Sequence, residues 1–224
     1  MNWVLLAVEG CQRFTRASAS CLRVPLPPPR QAEHNMGMPR TAERWTADMV
    51  RALPDDGNRY EVIDGQLFVT PAPSALHQRA VGRIFLRLEN YLRGKTWGEV
   101  LFSPADISFS EDRLVQPDVF VAPPGPSGRR VREWSEIRGL LLAVEVLSPS
   151  TARADRQAKR RLYQEEGVPE YWIVDLDARV VERWRSGDER PEIVAATLTW
   201  QPDTSAAPLQ LDLAVFFHEV LEEP

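Results

Sequence analysis

The run Leu140–Leu147 constrains the fold of this chain more than any other segment, because every side chain in it except Glu145 is apolar. A short, continuous apolar run is typical of a central strand that is buried on both faces of a sheet. A charge inside such a strand costs on the order of several kcal/mol unless it meets a cation, a hydrogen-bond network or solvent at the edge of the sheet. Glu145 therefore predicts a polar partner inside the fold.

A second carboxylate, Asp118, follows Gln116 and Pro117 at the start of another apolar strand. A side chain at the start of a strand can face a cleft, and two carboxylates from neighbouring strands can bracket Mg²⁺ at roughly 2.0–2.1 Å. Such an ion lowers the pKa of bound water and stabilises charge on a phosphate. The three histidines lie far apart and the body of the chain has no cysteine. Oxygen ligands alone favour Mg²⁺ or Mn²⁺.

A lysine on the next predicted helix could complete this set. The segment Ser148–Thr151 stops the strand and caps a helix predicted over residues 153–166, which carries Lys159. If the helix folds back over the sheet, the ammonium reaches the same cleft, where it acts as a point charge for phosphate or orients the nucleophile. Asp155, one turn earlier, could pair with it. The positive residues of this helix outnumber Asp155 by four and predict a phosphate-facing surface: Arg153, Arg156, Lys159, Arg160 and Arg161.

Each of these residues also has a structural explanation when it is taken alone. Asp118 could be a turn residue after proline, and Glu145 could pair with an arginine. Lys159 could lie on a solvated helix face. The same reasoning explains other polar residues as hairpin-edge or helix-start groups: Glu61, Asp106 and His77. Only the combination of two carboxylates and a lysine favours a functional site.

The order of elements predicts a single mixed α/β domain with a central sheet. Asp64-Gly65 is a strong hairpin signal, and Ser74 can cap a helix. The predicted helices cover residues 46–53, 75–93 and 153–166, and the predicted strands cover 60–63, 66–69, 100–102, 105–109, 118–121, 140–147, 171–175 and 180–184. Leu211–Phe217 is expected to pack back on the domain.

The ends of the chain differ from this body. Residues 1–40 are proline-rich and predict a disordered extension, or upstream sequence included by a wrong start site, with Met36 and Met38 as alternatives to Met1. The expected domain covers residues 41–217, and the expected tail covers 218–224. Both cysteines lie in the extension, and its apolar run is far too short to span a membrane or to form a secretory signal. We therefore expect a cytoplasmic protein without membrane contact.

The net charge of the chain limits the classes of binding partner that we expect. The net charge of -5 counts against an unspecific nucleic-acid binder, because phosphate contacts need clustered lysine and arginine. It does not exclude a nuclease, since bound cations offset acidity locally. An unrelated small-molecule phosphohydrolase is disfavoured because the chain has no glycine loop that could cradle a phosphate.

Several motifs, in order, resemble the bacterial Uma-two family of proposed restriction endonucleases, which is placed in the PD-(D/E)XK nuclease superfamily. The resemblance covers residues 41–217. It implies a restriction-endonuclease-like core, with a mixed sheet of four to five strands flanked by helices and an active site at one edge. The matching blocks are residues 60–65, 71–74 with His77 and Gln78, 116–118, 144–151, 159–163 and 167–175.

The resemblance also assigns roles residue by residue. Asp118 takes the place of the aspartate in the proline-aspartate half of the superfamily motif, and Glu145 takes the place of the second acid. The motif lysine falls two residues after that acid, at Leu147, which cannot serve. Lys159 is the natural substitute from the next helix. Glu61 resembles an acidic residue that assists metal binding in some members.

Together, the residues and the resemblance predict a Mg²⁺-dependent DNA endonuclease that also accepts Mn²⁺. In this prediction Asp118 and Glu145 bind the metal, Glu61 assists, and Lys159 orients or activates water. The predicted phosphate contacts come from Arg153, Arg156 and Arg160. A homodimer would suit the cutting of two strands.

The alternative is a catalytically silent nuclease fold that serves as a binding or regulatory module. The net acidity and the missing strand lysine favour it. A distance distinguishes the active endonuclease from the silent module, because an active arrangement needs the Lys159 nitrogen within roughly 4–6 Å of both the Asp118 and Glu145 carboxylates. A lysine that points to solvent would favour the module.

Overall fold

The computed structural model describes residues 44–125 and 128–221, so the predicted N-terminal extension and residues 222–224 lie outside the described residues. The helices are α1 (Ala47–Arg51), α2 (Ala75–Leu92), α3 (Ala152–Ala154), α4 (Arg160–Glu165) and α5 (Leu213–Leu221). The strands are β1 (Arg59–Ile63), β2 (Gln66–Thr70), β3 (Glu99–Phe102), β4 (Ile107–Ser110), β5 (Arg113–Val115), β6 (Val119–Ala122), β7 (Leu142–Val146), β8 (Glu170–Asp175), β9 (Val180–Arg185), β10 (Glu192–Val194), β11 (Thr197–Trp200) and β12 (Leu209–Asp212).

The main sheet has six strands in the order β10-β9-β8-β7-β6-β3. Strands β7 and β8 pair in parallel, and the other pairs are antiparallel. A parallel pair needs a crossover, and the helical segment between β7 and β8 provides it. The mixed α/β fold class is confirmed. The expected four to five strands are too few, because the short edge strand β10 extends the sheet.

Two smaller sheets accompany the main one, a four-stranded sheet in the order β2-β1-β5-β4 and the pair β11-β12. The predicted hairpin of β1 and β2 is confirmed. Asp64 and Gly65 both have left-handed φ angles, 52° and 79°, which Asp-Gly accommodates at low cost. The strands β5, β10, β11 and β12 were not predicted, because three- and four-residue strands carry little periodic signal.

Helix α2 begins and ends where its sequence predicts. The Ser74 side chain accepts a hydrogen bond from the His77 backbone nitrogen at 3.2 Å, and Gly94 follows the helix with a φ of 75°. The buried stripe of α2, which includes Ile84 and Leu88, packs on one face of the main sheet.

Helix α5 packs against α2 at the end of the described chain. The Arg87 guanidinium pairs with Glu219 at 2.9 Å, and Val220 is fully buried. The expectation that Leu211–Phe217 packs back on the domain is therefore confirmed. The expected boundary at residue 217 falls inside α5, which continues to Leu221 because Val220 belongs to the core. Within the described residues, no helix is both long and apolar enough to cross a bilayer.

The predicted helix over residues 153–166 is interrupted. A π-helical turn, Asp155–Lys159, separates α3 from α4, and both of its terminal residues are buried. The apolar period of the sequence cannot reveal such a turn, because its inward-facing residues are charged. π-Helical turns are frequent at functional sites.

Strand β7 lies between two layers of core. Val144 and Val146 face the layer that contains α2 and α5, while Ala143 faces the layer that contains Leu162 and Tyr163 of α4. Because side chains alternate along a strand, Glu145 faces the same side as Ala143, beneath the helical crossover.

Shortening one side chain of β7 tests whether this strand lies at the centre of the core. Leu142 is fully buried, so Leu142→Ala should lower the free energy of unfolding by about 2–5 kcal/mol in urea titrations. The matched control is Leu86→Ala on α2, where the side chain is 51% exposed and the change should stay within about 0.5 kcal/mol. Equal effects of the two substitutions would contradict the assigned burial.

Candidate active site

The Lys159 ammonium is the centre of a buried ionic cluster. Its nitrogen lies 2.9 Å from Glu61 Oε2, 3.0 Å from Glu145 Oε1 and 3.6 Å from Asp155 Oδ1. Lys159 is 3% exposed and Glu145 is 2% exposed. The Tyr163 hydroxyl donates a further hydrogen bond to Glu145 Oε1 at 3.2 Å. The polar partner that the buried glutamate predicted is therefore this lysine and tyrosine, and not an arginine.

Three separate elements bring the cluster together. Glu61 comes from β1, Glu145 from β7, and Asp155 and Lys159 from the two ends of the π-helical turn. Tyr163 lies on α4, one turn after Lys159, and therefore faces the same strand. The lysine does not lie on a solvated face, and Glu61 is not merely a hairpin-edge group.

Asp118 lies directly before β6 and is held by three donors. Its Oδ1 accepts from Arg59 Nη1 at 2.8 Å, and its Oδ2 accepts from the Val146 backbone nitrogen at 2.9 Å. His77 Nε2 lies 3.0 Å from the same Oδ2. The bond to Val146 ties Asp118 to the strand that carries Glu145. The two acids of the predicted motif thus lie on neighbouring, hydrogen-bonded segments.

The surroundings move the pKa values of these acids in opposite directions. Burial raises the pKa of Asp118, but the hydrogen bond with His77 and the charge of Arg59 outweigh it and hold the pKa at about 2. Burial raises the pKa of Glu145 well above its ordinary value, in spite of the Lys159 charge. Burial lowers the pKa of Lys159, but the carboxylates of Glu145, Glu61 and Asp155 outweigh it, so the pKa is raised and the amine stays charged.

Negative charge exceeds positive charge in this cluster. Four buried carboxyl groups, of Glu61, Asp118, Glu145 and Asp155, stand against the ammonium of Lys159 and the guanidinium of Arg59. Neither oxygen of Asp155 accepts a hydrogen bond from the described residues, although both are buried. The surplus is two negative charges when all four are ionised and His77 is neutral, and one when His77 is protonated, so the cluster can accept a cation.

The donor chemistry fits Mg²⁺ or Mn²⁺, which prefer carboxylate oxygens. Among residues 44–125 and 128–221, no three acidic, histidine or cysteine side chains converge to hold a metal by themselves. Mg²⁺ in proteins commonly takes one or two carboxylates and fills its remaining positions with water and substrate phosphate.

A cleft of about 540 Å³ opens beside the cluster. Arg59 and His77, the two side chains that contact Asp118, form part of its wall. Leu147 lines the same cleft, so the position of the superfamily lysine faces it but presents an apolar side chain. Asp118 itself is buried behind these two side chains, and neither it nor Glu145 nor Lys159 is among the residues that line the cleft.

The three arginines predicted to contact phosphate lie in different surroundings. Arg156 lines the cleft, but it pairs with Glu182 at 2.6 Å and with Asp175 at 2.9 Å. Arg153 is exposed, and Arg160 packs over the Trp184 ring at 5.0 Å. Neither Arg153 nor Arg160 is among the residues that line the cleft.

Two members of the site, Arg59 and Tyr163, were not predicted, and His77 was explained only as a structural residue. Arg59 and Glu61 are two residues apart on β1, so strand alternation could have placed them on one face. The helical spacing of Tyr163 from Lys159 carries a similar signal. The contact between His77 and Asp118 joins residues 41 positions apart, which local spacing cannot reveal.

The fold and this acidic site define a protein of the restriction-endonuclease-like class. The chain belongs to the Uma2 family, described as "Putative restriction endonuclease", whose profile matches residues 47–215. A crystal structure from Anabaena variabilis ATCC 29413, described as a putative nuclease belonging to DUF820 and solved at 1.96 Å, has a similar fold. The TM-score is 0.66 at 17% identity, and the match covers 79% of this chain and 99% of that one. Comparison with curated proteins finds no match.

The raised pKa of Asp155 provides a test of the buried cluster, because it makes the stability of the protein depend on pH. Burial raises its pKa to about 6 and outweighs the charge of Lys159, which lowers it, while the charges of Glu61 and Asp118 act in the same direction as burial. Because this folded-state pKa lies above the unfolded value, the native state binds more protons between about pH 4 and pH 6, and its stability falls as pH rises through that window.

We therefore expect Asp155→Asn to remove this fall and to raise the free energy of unfolding at pH 7 by about 1–3 kcal/mol. Urea titrations across the pH range measure the effect. The internal control is pH 4, where the native carboxyl is protonated and the two proteins should differ little. A destabilised Asp155→Asn at pH 7 would contradict the net cost assigned to the buried charge of Asp155, whose oxygens accept no hydrogen bond from the described residues.

Proposed function

We propose that this protein is a divalent-metal-dependent endonuclease that hydrolyses phosphodiester bonds of DNA at the cleft beside Asp118. The observation that carries the proposal is the surplus of buried carboxyl groups around Lys159, next to a cleft walled by Arg59 and His77. A surplus of buried negative charge is costly for folding alone, and it is typical of a site that binds a cation for chemistry.

Asp118 and Glu145 would hold Mg²⁺, with Glu61 as an assisting ligand and Mn²⁺ as a substitute. The bound ion would supply an activated water and would neutralise charge on the scissile phosphate. Asp118 is suited to this role because its low pKa keeps it ionised at every physiological pH. The Val146 backbone bond keeps Asp118 beside the strand of Glu145.

Lys159 would act in place of the missing strand lysine. Its nitrogen is 3.0 Å from Glu145, which meets the distance criterion for one of the two motif carboxylates, and its charge lowers the pKa of the other, Asp118. An ammonium between the carboxylates offsets their mutual repulsion, and it can orient a water or a phosphate oxygen. Its raised pKa makes it a charge and a donor rather than a base.

A catalytically silent module is the second candidate, and one observation favours it. Lys159 already contacts three carboxylates, and both oxygens of Asp118 are engaged by protein groups. A site whose charges are paired in this way can hold a nuclease fold together without catalysis. Leu147 in the cleft adds to this case.

We place the enzyme in the cytoplasm, where its DNA substrate lies. We further propose a homodimer, because two symmetric sites suit the cutting of two strands. Both the location and the homodimer depend on the nuclease proposal and would be rejected together with it.

A cleavage assay separates the two candidates. With Mg²⁺ or Mn²⁺, the purified protein should cut mixed plasmid and single-stranded substrates, and a chelator should abolish cutting. Asp118→Asn and Glu145→Gln should each lower the rate by about 100-fold or more. Glu111→Gln, an exposed acid in the turn between β4 and β5, is the matched control and should cut like the parent protein. Full activity in Glu145→Gln would exclude this site, and no cutting by the parent protein would favour the silent module.

Relocation of the lysine tests whether Lys159 substitutes for the strand residue. Lys159→Met should abolish cutting, and it should lower stability by about 3–5 kcal/mol because it leaves buried carboxylates unpaired. The double variant Lys159→Met/Leu147→Lys returns an ammonium to the cleft from the residue that directly follows β7. It should recover part of the cutting rate, measured on the same plasmid substrate. Undiminished cutting by Lys159→Met alone would show that Lys159 has no catalytic role.

A further inference from the structure

Arg59 is the cation that joins the buried cluster to the open cleft. Its Nη1 donates to Asp118 at 2.8 Å, and its side chain is 17% exposed at the wall of the cleft. Among the described residues, the other N–H groups of this guanidinium have no hydrogen-bond partner. An arginine carries five donors in a fixed fork, so Arg59 has capacity for a further anion.

The other arginine of the cleft does not have this capacity. Arg156 uses Nε and Nη2 to bind Glu182 and Asp175. Two carboxylates already neutralise it, and a phosphate would have to displace them. Arg59 shares the single carboxylate of Asp118 with His77 and Val146.

The start of α2 lies at the same wall. This helix is 18 residues long, has no acidic residue in its first turn, and begins with Ser74, Leu76 and His77 along the cleft. Such an N-terminus favours negative charge. His77 is more than nine-tenths buried, and its Nδ1 has no hydrogen-bond partner among the described residues. The wall therefore has an arginine fork and a helix N-terminus, and no described acid other than Asp118 contacts Arg59.

We propose that Arg59 and the N-terminal turn of α2 form the backbone-phosphate-binding site of this cleft, with a nucleic-acid phosphodiester as the ligand. The inference rests on the proposed nuclease function and deepens it. Arg59 is then a substrate-binding residue, and it replaces Arg153 and Arg160, which lie away from the cleft, as the main phosphate contact.

Asp118 and a substrate phosphate are alternative acceptors for the same guanidinium. When a phosphate enters the cleft, Arg59 can donate to it from its unused nitrogens or turn away from Asp118 Oδ1. The second movement frees an oxygen of the acid beside the incoming phosphate. Arg59 thereby links substrate binding to the availability of Asp118 for a cation.

The test is equilibrium binding without cleavage. Fluorescence anisotropy with labelled single-stranded and duplex oligonucleotides, in EDTA, measures the dissociation constant over a range of salt. Arg59→Ala should weaken binding roughly 10- to 100-fold and should lower the salt slope by about one phosphate contact. The matched control is Arg93→Ala, an exposed arginine just after the opposite end of α2, which should bind like the parent protein.

A second variant distinguishes the loss of a phosphate contact from a loss of binding caused by misfolding. Arg59→Lys keeps the charge beside Asp118 but loses the planar fork, so it should fold and should bind more weakly than the parent protein. Parent-like affinity in both Arg59 variants, or no oligonucleotide binding by the parent protein, overturns the inference.

The same variants separate this inference from the nuclease proposal. Arg59-dependent binding by a protein that cuts nothing supports the phosphate site and rejects the nuclease. If Glu145→Gln abolishes cutting but the Arg59 variants bind oligonucleotide like the parent protein, the result supports the nuclease and rejects the phosphate site.

Discussion

The contact of Lys159 with three buried carboxyl groups is the interaction on which the rest of the site depends. It explains why an otherwise apolar strand carries Glu145, and why the helix above it contains a π-helical turn whose two ends face inward. Loss of the lysine from such a buried network typically costs about 3–5 kcal/mol, because the remaining carboxylates have no solvent and, among the described residues, no other ammonium nearby. The fold and the candidate chemistry therefore share the same residues.

The lysine does not neutralise the cluster. Arg59 and Lys159 supply two positive charges for four carboxyl groups, and the pKa values of Glu145 and Asp155 are raised as a result of burial and mutual repulsion. Protons or a divalent cation can supply the difference. A structural ion network has no need of such a surplus, whereas a metal-dependent nuclease does. Arg59 lies between the cluster and the cleft, so under the proposed function it would link the buried carboxyl groups to a bound phosphodiester.

Much of this arrangement could be predicted from the sequence because its signals are local. The Asp-Gly hairpin, the serine cap of α2 and the unbroken apolar character of β7 each depend on neighbouring residues. The charge of Glu145 inside β7 predicted a polar partner, and the place of Lys159 on the next predicted helix made it the candidate. The π-helical turn, the contact of His77 with Asp118 and the role of Arg59 could not be predicted in this way. The two contacts of Asp118 depend on how segments 41 and 59 residues apart pack together, and no periodic pattern records that packing. The π-helical turn leaves no apolar period because its inward-facing residues are charged.

Metal binding tests most directly whether the buried surplus of carboxyl groups is a cation site. Isothermal titration of Mg²⁺, and of Mn²⁺ as a tighter probe, into the purified protein should show saturable binding. Glu145→Gln and Asp118→Asn should each abolish it or weaken it strongly while the protein stays folded by circular dichroism. Absence of binding to the parent protein, or equal binding in both variants, would contradict the account and would leave Lys159 as the centre of a purely structural ion network.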